Sequence, residues 1–247
     1  MLRSANPALR GDVFRAEAGY GVQETMTVQG TATKAMILLS LLTLSAFFTW
    51  REFFSGNTEM VMPMMMGGVI GGFVVALVTT FKREWSPVLA PIYALLEGLA
   101  LGGISAFMEM RFPGLAIQAV GLTVAVFAGM LVSYKSGLIK ATDRFKRGVF
   151  AVTAGIAIFY FVELILSFFH INVPMIHESG PVGIGVSLVV SAIAALNLII
   201  DFDFVEQGAR GRAPKYMEWY GAFGLLVTLV WLYIELLRLL AKLNSRK

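Results

Sequence analysis

The chain has 247 residues, of which 57% are hydrophobic and only 15% are charged. Because soluble domains carry about 25% charged residues, this sequence has too little polar surface for a water-soluble globule of its size, and we expect an integral membrane protein. The absence of cysteine excludes a disulfide framework and thiolate chemistry, and the formal net charge of +4 is read as a signal of membrane orientation, not of nucleic-acid binding.

The first 33 residues are polar and rich in glycine and alanine, with no long apolar run. This composition is typical of a flexible N-terminal arm. A cleaved signal peptide would need an apolar core of about 7–15 residues near the start, whereas the first apolar run begins only after Lys34. We therefore expect an arm over residues 1–33 and a membrane domain over residues 34–247.

Seven apolar segments follow, and each is long enough for a membrane-spanning helix, which needs about 20 residues. They cover residues 35–54, 62–81, 87–107, 115–134, 149–169, 182–200 and 220–241. None alternates with a period of two, as the strands of a membrane barrel would. The sequence predicts an all-α, polytopic membrane protein, a bundle of seven transmembrane helices.

Basic residues predict which end of the bundle faces the cytoplasm, because Lys and Arg concentrate in cytoplasmic loops. They cluster in the arm and in alternate connections, and the connection at residues 170–181 has none. This alternation predicts a cytoplasmic N-terminus and, with seven spans, an external C-terminus. Lys242, Arg246 and Lys247 favour the cytoplasm instead, so six spans with a re-entrant seventh segment is the competing topology.

Glycines recur four residues apart in the second and third segments, at Gly68 and Gly72 and at Gly98 and Gly102. Small residues at this spacing let helices approach closely in lipid. We expect them to pack helices within one bundle, in preference to forming a dimer interface.

Acidic residues inside the apolar segments are the main functional candidates, since a charge in the bilayer is costly and is usually functional. Glu97 falls near the middle of the third segment, Glu163 and Glu235 in the fifth and seventh, and Asp201 at the end of the sixth. Small and polar residues share a helix face with Asp201, and others with Glu235, so these faces are expected to meet. Glu97, Glu163 and Glu235 are predicted to line an ion path, although Glu235 and Arg238 could equally form a simple pair.

Asp203 and Glu206 follow Asp201 in the stretch NLIIDFDFVEQ. At a membrane–water boundary such acids are expected to be solvated. We predict that they form a cation-attracting mouth around Asp201 at the cytoplasmic side.

Enzymatic motifs are missing from the sequence. It contains no GxSxG, HExxH, P-loop or dinucleotide-binding motif, and no span contains a histidine. His170, His177 and Glu178 in an external loop offer metal-ligand atoms, but their spacing favours an ordinary loop. We therefore expect no enzyme, no metal site and no cofactor.

Five stretches together resemble a known family. The arm reads RSANPALRGDVF, the approach to the first span TMTVQGTATKAMILL, and the third span APIYALLEGLALGGISAFME. The sixth span ends AALNLIIDFDFVE and the seventh ends LYIELLRLLAKL. In this order and spacing they resemble the Bax inhibitor-1-like family, in its bacterial branch, over nearly the whole chain. The resemblance implies a seven-helix inner-membrane bundle with the last helix near its centre, and a pH-responsive cation leak, chiefly of calcium.

The resemblance also implies roles for individual residues. In the family pattern, two aspartates on the last two spans sense protons at the cytoplasmic side, and a basic residue ending the second span partners the first aspartate. Asp201 matches the first aspartate, Thr228 stands at the position of the second, and Lys82 and Arg83 fall at the basic position. We expect Arg83 to form the latch, because a guanidinium can bind a carboxylate through two hydrogen bonds.

The leading hypothesis is therefore a pH-responsive, calcium-leak-like channel or transporter in the lipid bilayer. Some members of the family bind membrane proteases or other membrane proteins. The alternative hypothesis is accordingly a non-conducting regulator that binds another membrane protein through the arm or the glycine-rich faces.

Overall fold

The computed structural model describes residues 24–169 and 180–245, and these residues form seven long helices. Each helix is long and apolar enough to cross a membrane, so the predicted all-α, seven-span architecture is confirmed. A short 3-10 turn at Arg83–Trp85 precedes the third helix. The helices are α1 Val28–Phe54, α2 Thr58–Phe81, α3 Ser86–Arg111, α4 Leu115–Lys135, α5 Asp143–Phe168, α6 Pro181–Arg210 and α7 Met217–Asn244.

The seventh segment is one continuous helix of 28 residues, about 42 Å long at 1.5 Å per residue. That length is sufficient to cross a bilayer, which favours seven spans over a re-entrant seventh segment. Lys242, whose position in the sequence favours a cytoplasmic tail, is buried and donates to the carbonyl oxygen of Gly183 at 3.0 Å. The Lys242 ammonium group therefore forms hydrogen bonds within the bundle, and we do not count it among the basic residues that indicate orientation.

The two ends of the bundle differ in charge. The starts of α1, α3 and α7 lie together, since Lys34 pairs with Glu218 and the Ser86 hydroxyl donates to the Tyr216 carbonyl oxygen at 3.0 Å. At the other end, Leu115 at the start of α4 packs against Leu237 near the end of α7. We call the first the basic end, because its helix ends and connections contain Lys34, Lys82, Arg83, Lys135, Lys140, Arg144, Lys146, Arg147, Arg210, Arg212 and Lys215.

The last helix lies near the centre, as predicted. α7 packs against α1, α3, α4 and α6, and it has the largest buried share of the seven spans. α2 contacts chiefly α1 and α3, whereas α5 contacts chiefly α6. Among the described side chains of α5, Val149 alone is buried. α5 is therefore the most loosely held helix of the bundle.

The glycines of α2 and α3 allow α1, α2 and α3 to approach closely. A Cβ atom on Gly98 would lie 2.3 Å from the Leu42 carbonyl oxygen of α1, and one on Gly102 would lie 2.2 Å from the Ala46 carbonyl oxygen. A Cβ on Gly68 would lie 2.5 Å from a carbonyl oxygen of α3. The backbone of a neighbouring helix thus occupies the space of these side chains, which agrees with packing within one bundle.

Two predicted boundaries differ from the helices. α1 begins at Val28, because the Thr27 hydroxyl accepts a hydrogen bond from the Gly30 amide at 2.9 Å and caps the helix. Residues 24–33 therefore belong to the folded domain, and the rest of the predicted arm, residues 1–23, lies outside the described residues. α6 continues to Arg210, so Asp201 lies inside a helix and not at its end.

Candidate functional site

α6 and α7 run antiparallel, and their polar residues meet in a regular register. The Lys242 ammonium donates to the Ser187 hydroxyl at 2.8 Å. Asp201 lies 14 residues after Ser187 and is hydrogen-bonded by Thr228, which lies 14 residues before Lys242. Residues seven apart remain near one helix face, so the contacts form one line, which we call the α6–α7 seam. It comprises the two contacting pairs, Ser187 with Lys242 and Asp201 with Thr228, and the residues that seven-residue steps place on the same line: Ala194 and Gly208 of α6, and Glu235 and Gly221 of α7.

Of the acidic residues of the seam, Asp201 has the fewest hydrogen-bond partners. The Thr228 hydroxyl bonds its carboxylate, whereas its other oxygen, Oδ2, is buried and has no hydrogen-bond partner among the described residues. Nine further residues of α6 follow it, about 13 Å of helix. Burying a carboxylate oxygen without a donor is costly, so Asp201 offers a ligand position that the described chain leaves unfilled.

Thr228 is therefore the residue that meets Asp201. It stands where the resemblance implies the second aspartate of a pair, and it is itself largely buried. A neutral hydroxyl at this place can donate one hydrogen bond to the carboxylate but cannot share a proton with it as a second carboxylate would. The position matches the family pattern, and the chemistry at the position differs.

Arg83 and Lys82 do not pair with Asp201 among the described contacts. The Arg83 guanidinium lies over the Tyr220 ring, 5.4 Å from its centroid, and Lys82 is exposed at the end of α2. Tyr220 precedes Thr228 by eight residues on α7, which is about 12 Å of helix. In this structure α6 extends nine residues past Asp201, and Arg83 lies over Tyr220, nearer to the start of α7 than Thr228. A gating role for these three residues stays a prediction.

Asp203 and Glu206 have partners on neighbouring helices. Asp203 forms an ion pair with Lys146 of α5. Glu206 accepts a hydrogen bond from the Tyr134 hydroxyl of α4 and pairs with Arg210 at 2.6 Å. The two acids thus connect α6 to α4 and α5 at the basic end, which the sequence did not predict. Their role as a cation-attracting mouth stays a prediction.

Glu235 and Glu163 belong to one charged cluster in the half of the bundle away from the basic end. The Tyr160 hydroxyl donates to Glu235 Oε1 at 3.1 Å, and Arg238 pairs with the same oxygen at 3.0 Å. Lys242 interacts electrostatically with both Glu163 and Glu235. The pairing of Glu235 with Arg238 is confirmed, and the polar faces of α6 and α7 meet as expected.

Glu97 lies in a different place. A Cβ atom on Gly72 of α2 would lie 2.7 Å from Glu97 Oε2, so the carboxylate fills the contact between α2 and α3. Within the described part of the chain no side chain donates to it or pairs with it. The three acids predicted to line one path are therefore divided, with Glu163 and Glu235 together beside α7 and Glu97 apart.

Two apolar cavities flank the seam. One of about 660 Å³ lies between α1, α3, α4 and α7, and it contains the hydroxyls of Ser105 and Tyr233, which bond each other at 2.7 Å. The other, of about 750 Å³, lies between α5 and α6 and reaches Tyr160. Both are lined mainly by hydrophobic side chains, and neither lining includes a carboxylate, the ligand that a hard cation prefers. The α6–α7 seam is therefore the candidate site.

Glu218, in the first turn of α7, was missed by sequence reasoning. Its carboxylate is fully buried and accepts from the Thr27 amide at 2.9 Å and from the Thr27 hydroxyl at 2.8 Å. It also pairs with Lys34 at 2.5 Å and Lys215 at 3.2 Å. An acidic residue in the first turn of a helix is usually explained by its favourable interaction with the helix dipole. The polar run TMTVQGTATK, which leads into the first turns of α1, was the one available sign of a partner.

The metal alternative at His170, His177 and Glu178 lies outside the described residues. A family model described as Bax inhibitor 1 like matches residues 6–245. The match covers all seven helices and every residue of the α6–α7 seam. A comparison with curated proteins returned no match.

Proposed function

The chain belongs to the Bax inhibitor 1-like family, and on that premise we propose that it is a pH-responsive cation channel or transporter, of the calcium-leak kind. The α6–α7 seam is its polar route. One observation carries the proposal: Asp201 is a carboxylate inside the bundle whose Oδ2 atom is buried without a hydrogen-bond partner among the described residues.

The physical argument starts from the cost of an acid in the membrane. Ionisable residues within spans are expensive and mark ion or proton pathways. Hard cations such as Ca²⁺ bind carboxylate, hydroxyl and carbonyl oxygens, and Asp201 with Thr228 supplies the first two. Protonation removes the negative charge of Asp201, so the same residue that receives a cation also makes its binding depend on pH.

In the half of the seam away from the basic end, basic and acidic side chains pair with each other and close the route in this structure. Arg238 and Lys242 lie beside Glu235 and Glu163, so these acids are neutralised and are not open ligands for a cation. Passage through the seam therefore requires this cluster to rearrange. α5 supplies Tyr160 to the cluster and is the most weakly packed helix, so its displacement is the movement that we propose.

The charge difference between the two ends supports an orientation. Lys and Arg residues are retained in cytoplasmic connections, and they concentrate at the basic end. We propose that the basic end and the N-terminus are cytoplasmic and that the membrane is the bacterial inner membrane. Asp201 then faces the cytoplasmic half of the route.

Ion flux into proteoliposomes of the purified chain tests the proposal. We expect Ca²⁺ uptake that changes with pH, measured beside K⁺ and H⁺ in separate vesicles. Glu235→Gln should change the flux, because it removes the charge that holds Arg238. Glu97→Gln is the matched variant outside the seam, and we expect flux close to that of the unmodified chain.

Absence of flux for all three ions from folded, reconstituted protein would contradict the proposal. It would favour the alternative, a non-conducting regulator that binds another membrane protein. Equal effects of Glu97→Gln and Glu235→Gln would instead mean that the route is not confined to the α6–α7 seam.

A further inference from the structure

The segment before α1 crosses the basic end of the seam. Residues 24–31, which we call the strap, comprise an extended stretch and the first turn of α1. The Met26 amide donates to the Ala213 carbonyl oxygen at 2.7 Å, and Thr25 forms an antiparallel bridge with Pro214. The strap is therefore joined by backbone contacts to the connection between α6 and α7.

Met26 is the side chain that the strap places into the seam. Its side chain is 1% exposed, and it occupies the space beside two glycines that have no side chains of their own. A Cβ on Gly208 would lie 2.6 Å from Met26 Sδ, and one on Gly221 would lie 3.4 Å from Met26 Cε. Gly208 and Gly221 form the last pair of the seam, seven residues beyond Asp201 and Thr228. Met26 thus covers the seam about 10 Å to the basic side of Asp201.

Glu218 holds the strap in this position. Its buried carboxylate accepts from the backbone and hydroxyl of Thr27 and pairs with Lys34, all on α1 or immediately before it. A Cβ on Gly30 would lie 2.1 Å from Glu218 Oε1, so the residue facing the carboxylate has to be glycine. Removing one partner of a buried charge cluster is strongly destabilising, which makes this contact the anchor of the strap.

We propose that the strap is a gate: Met26 closes the basic end of the α6–α7 seam, Glu218 positions it there, and cations reach Asp201 only when the strap lifts. This inference rests on the proposed function. It adds a regulatory element that is distant from Asp201 along the chain and is built from α1 and the start of α7.

The first test measures strap lifting without any ion flux. Thr31 is buried in the strap beside Gly221, and the chain has no cysteine, so Thr31→Cys is a single reporter for maleimide labelling. We expect Glu218→Gln and Gly30→Ala each to raise the labelling rate at least about tenfold, because both break the anchor. Gly67→Ala adds the same methyl group to open space on α2 and should leave the rate unchanged.

The second test locks the strap and measures flux. Bridged residues of antiparallel strands have Cα atoms about 4.5–5.5 Å apart, within the range for a disulfide. The double variant Thr25→Cys, Pro214→Cys should therefore form one on oxidation. We expect the oxidised protein to lose at least about four-fifths of its Ca²⁺ flux, a fivefold change, and a reductant to restore it; Glu218→Gln and Met26→Ala should each raise the flux.

Each outcome separates the gate from the function on which it rests. Full flux through the oxidised, cross-linked protein would overturn the gate while leaving the proposed function in place. Unchanged labelling of the reporter in Glu218→Gln and Gly30→Ala would overturn the role of Glu218 as anchor. Absence of flux from the unmodified chain would overturn the proposed function and the gate together, and the labelling test would still show whether Glu218 holds the strap.

Discussion

At the scale of residues, the seam depends on a few polar contacts between helices that are otherwise apolar. Asp201 and Thr228 form the contact that matters most for function, and Ser187 with Lys242 repeats it in the other half. In lipid such contacts, together with close packing at small residues, give specificity between helices, because hydrophobic burial does not distinguish a neighbouring helix from an acyl chain.

Thr228→Val tests the hydroxyl that bonds Asp201. Valine has nearly the same shape but cannot donate, so both carboxylate oxygens would then lack a donor. We expect the free energy of unfolding to fall by about 1–3 kcal/mol, measured by denaturant unfolding in mild detergent. Thr228→Ser keeps the donor and should retain most of the stability; a larger loss in Thr228→Ser than in Thr228→Val would show that the methyl group, not the hydroxyl, is what matters.

Gly102→Ala tests the close approach of α1 and α3. The added Cβ would meet the Ala46 carbonyl oxygen at 2.2 Å, so the two helices must separate. We expect a loss of about 1–3 kcal/mol, typical of overpacking, seen as a lower thermal midpoint. Gly121→Ala on α4 is the control, since nothing lies within 4 Å of its Cβ; a comparable loss there would contradict the close approach of α1 and α3 as the cause.

Residue types and helix faces predicted part of the site from the sequence. Asp201 and Glu235 stood out because charge is rare in apolar segments, and the pairing of Glu235 with Arg238 follows from their spacing of three. Met26 and Glu218 did not stand out. Their partners lie about 190 positions away in the chain, and a single sequence carries no signal for contacts at that separation.

At the scale of elements, the fold was predictable and the depth of the helices was not. Seven apolar runs define seven helices, because a bilayer satisfies no backbone hydrogen bonds. Hydropathy follows the lipid boundary, however, and not the end of a helix. α6 continues ten residues past the predicted boundary at residue 200, so Asp201, expected at the end of the helix near Arg83, lies within the helix.

Topology follows from the continuous helices and can be tested with three single cysteines. Ser55, Ser136 and Ser245 are exposed and end α1, α4 and α7 respectively. We expect a membrane-impermeant maleimide to label Ser136→Cys only from the cytoplasmic side, and Ser55→Cys and Ser245→Cys only from the outside. Labelling of Ser245→Cys from the same side as Ser136→Cys would mean that α7 does not cross the membrane.

At the scale of the whole molecule, α7 at the centre links three features. Its first residues hold the strap through Glu218, its middle meets Asp201 through Thr228, and its last turns carry Glu235, Arg238 and Lys242. A shift of this one helix would therefore act on the basic end, the middle and the far half of the seam together. The central claim is that Asp201 makes cation passage through this seam depend on pH.

The pH profile of Ca²⁺ flux in proteoliposomes, compared between the unmodified chain and Asp201→Asn, tests that claim most directly. Asparagine keeps the size of the side chain but has one charge state, so we expect an altered flux whose dependence on pH is largely lost. Asp203→Asn, two residues away and paired with Lys146 at the basic end, should keep the pH dependence. An Asp201→Asn protein with the full pH dependence of the unmodified chain would contradict the account.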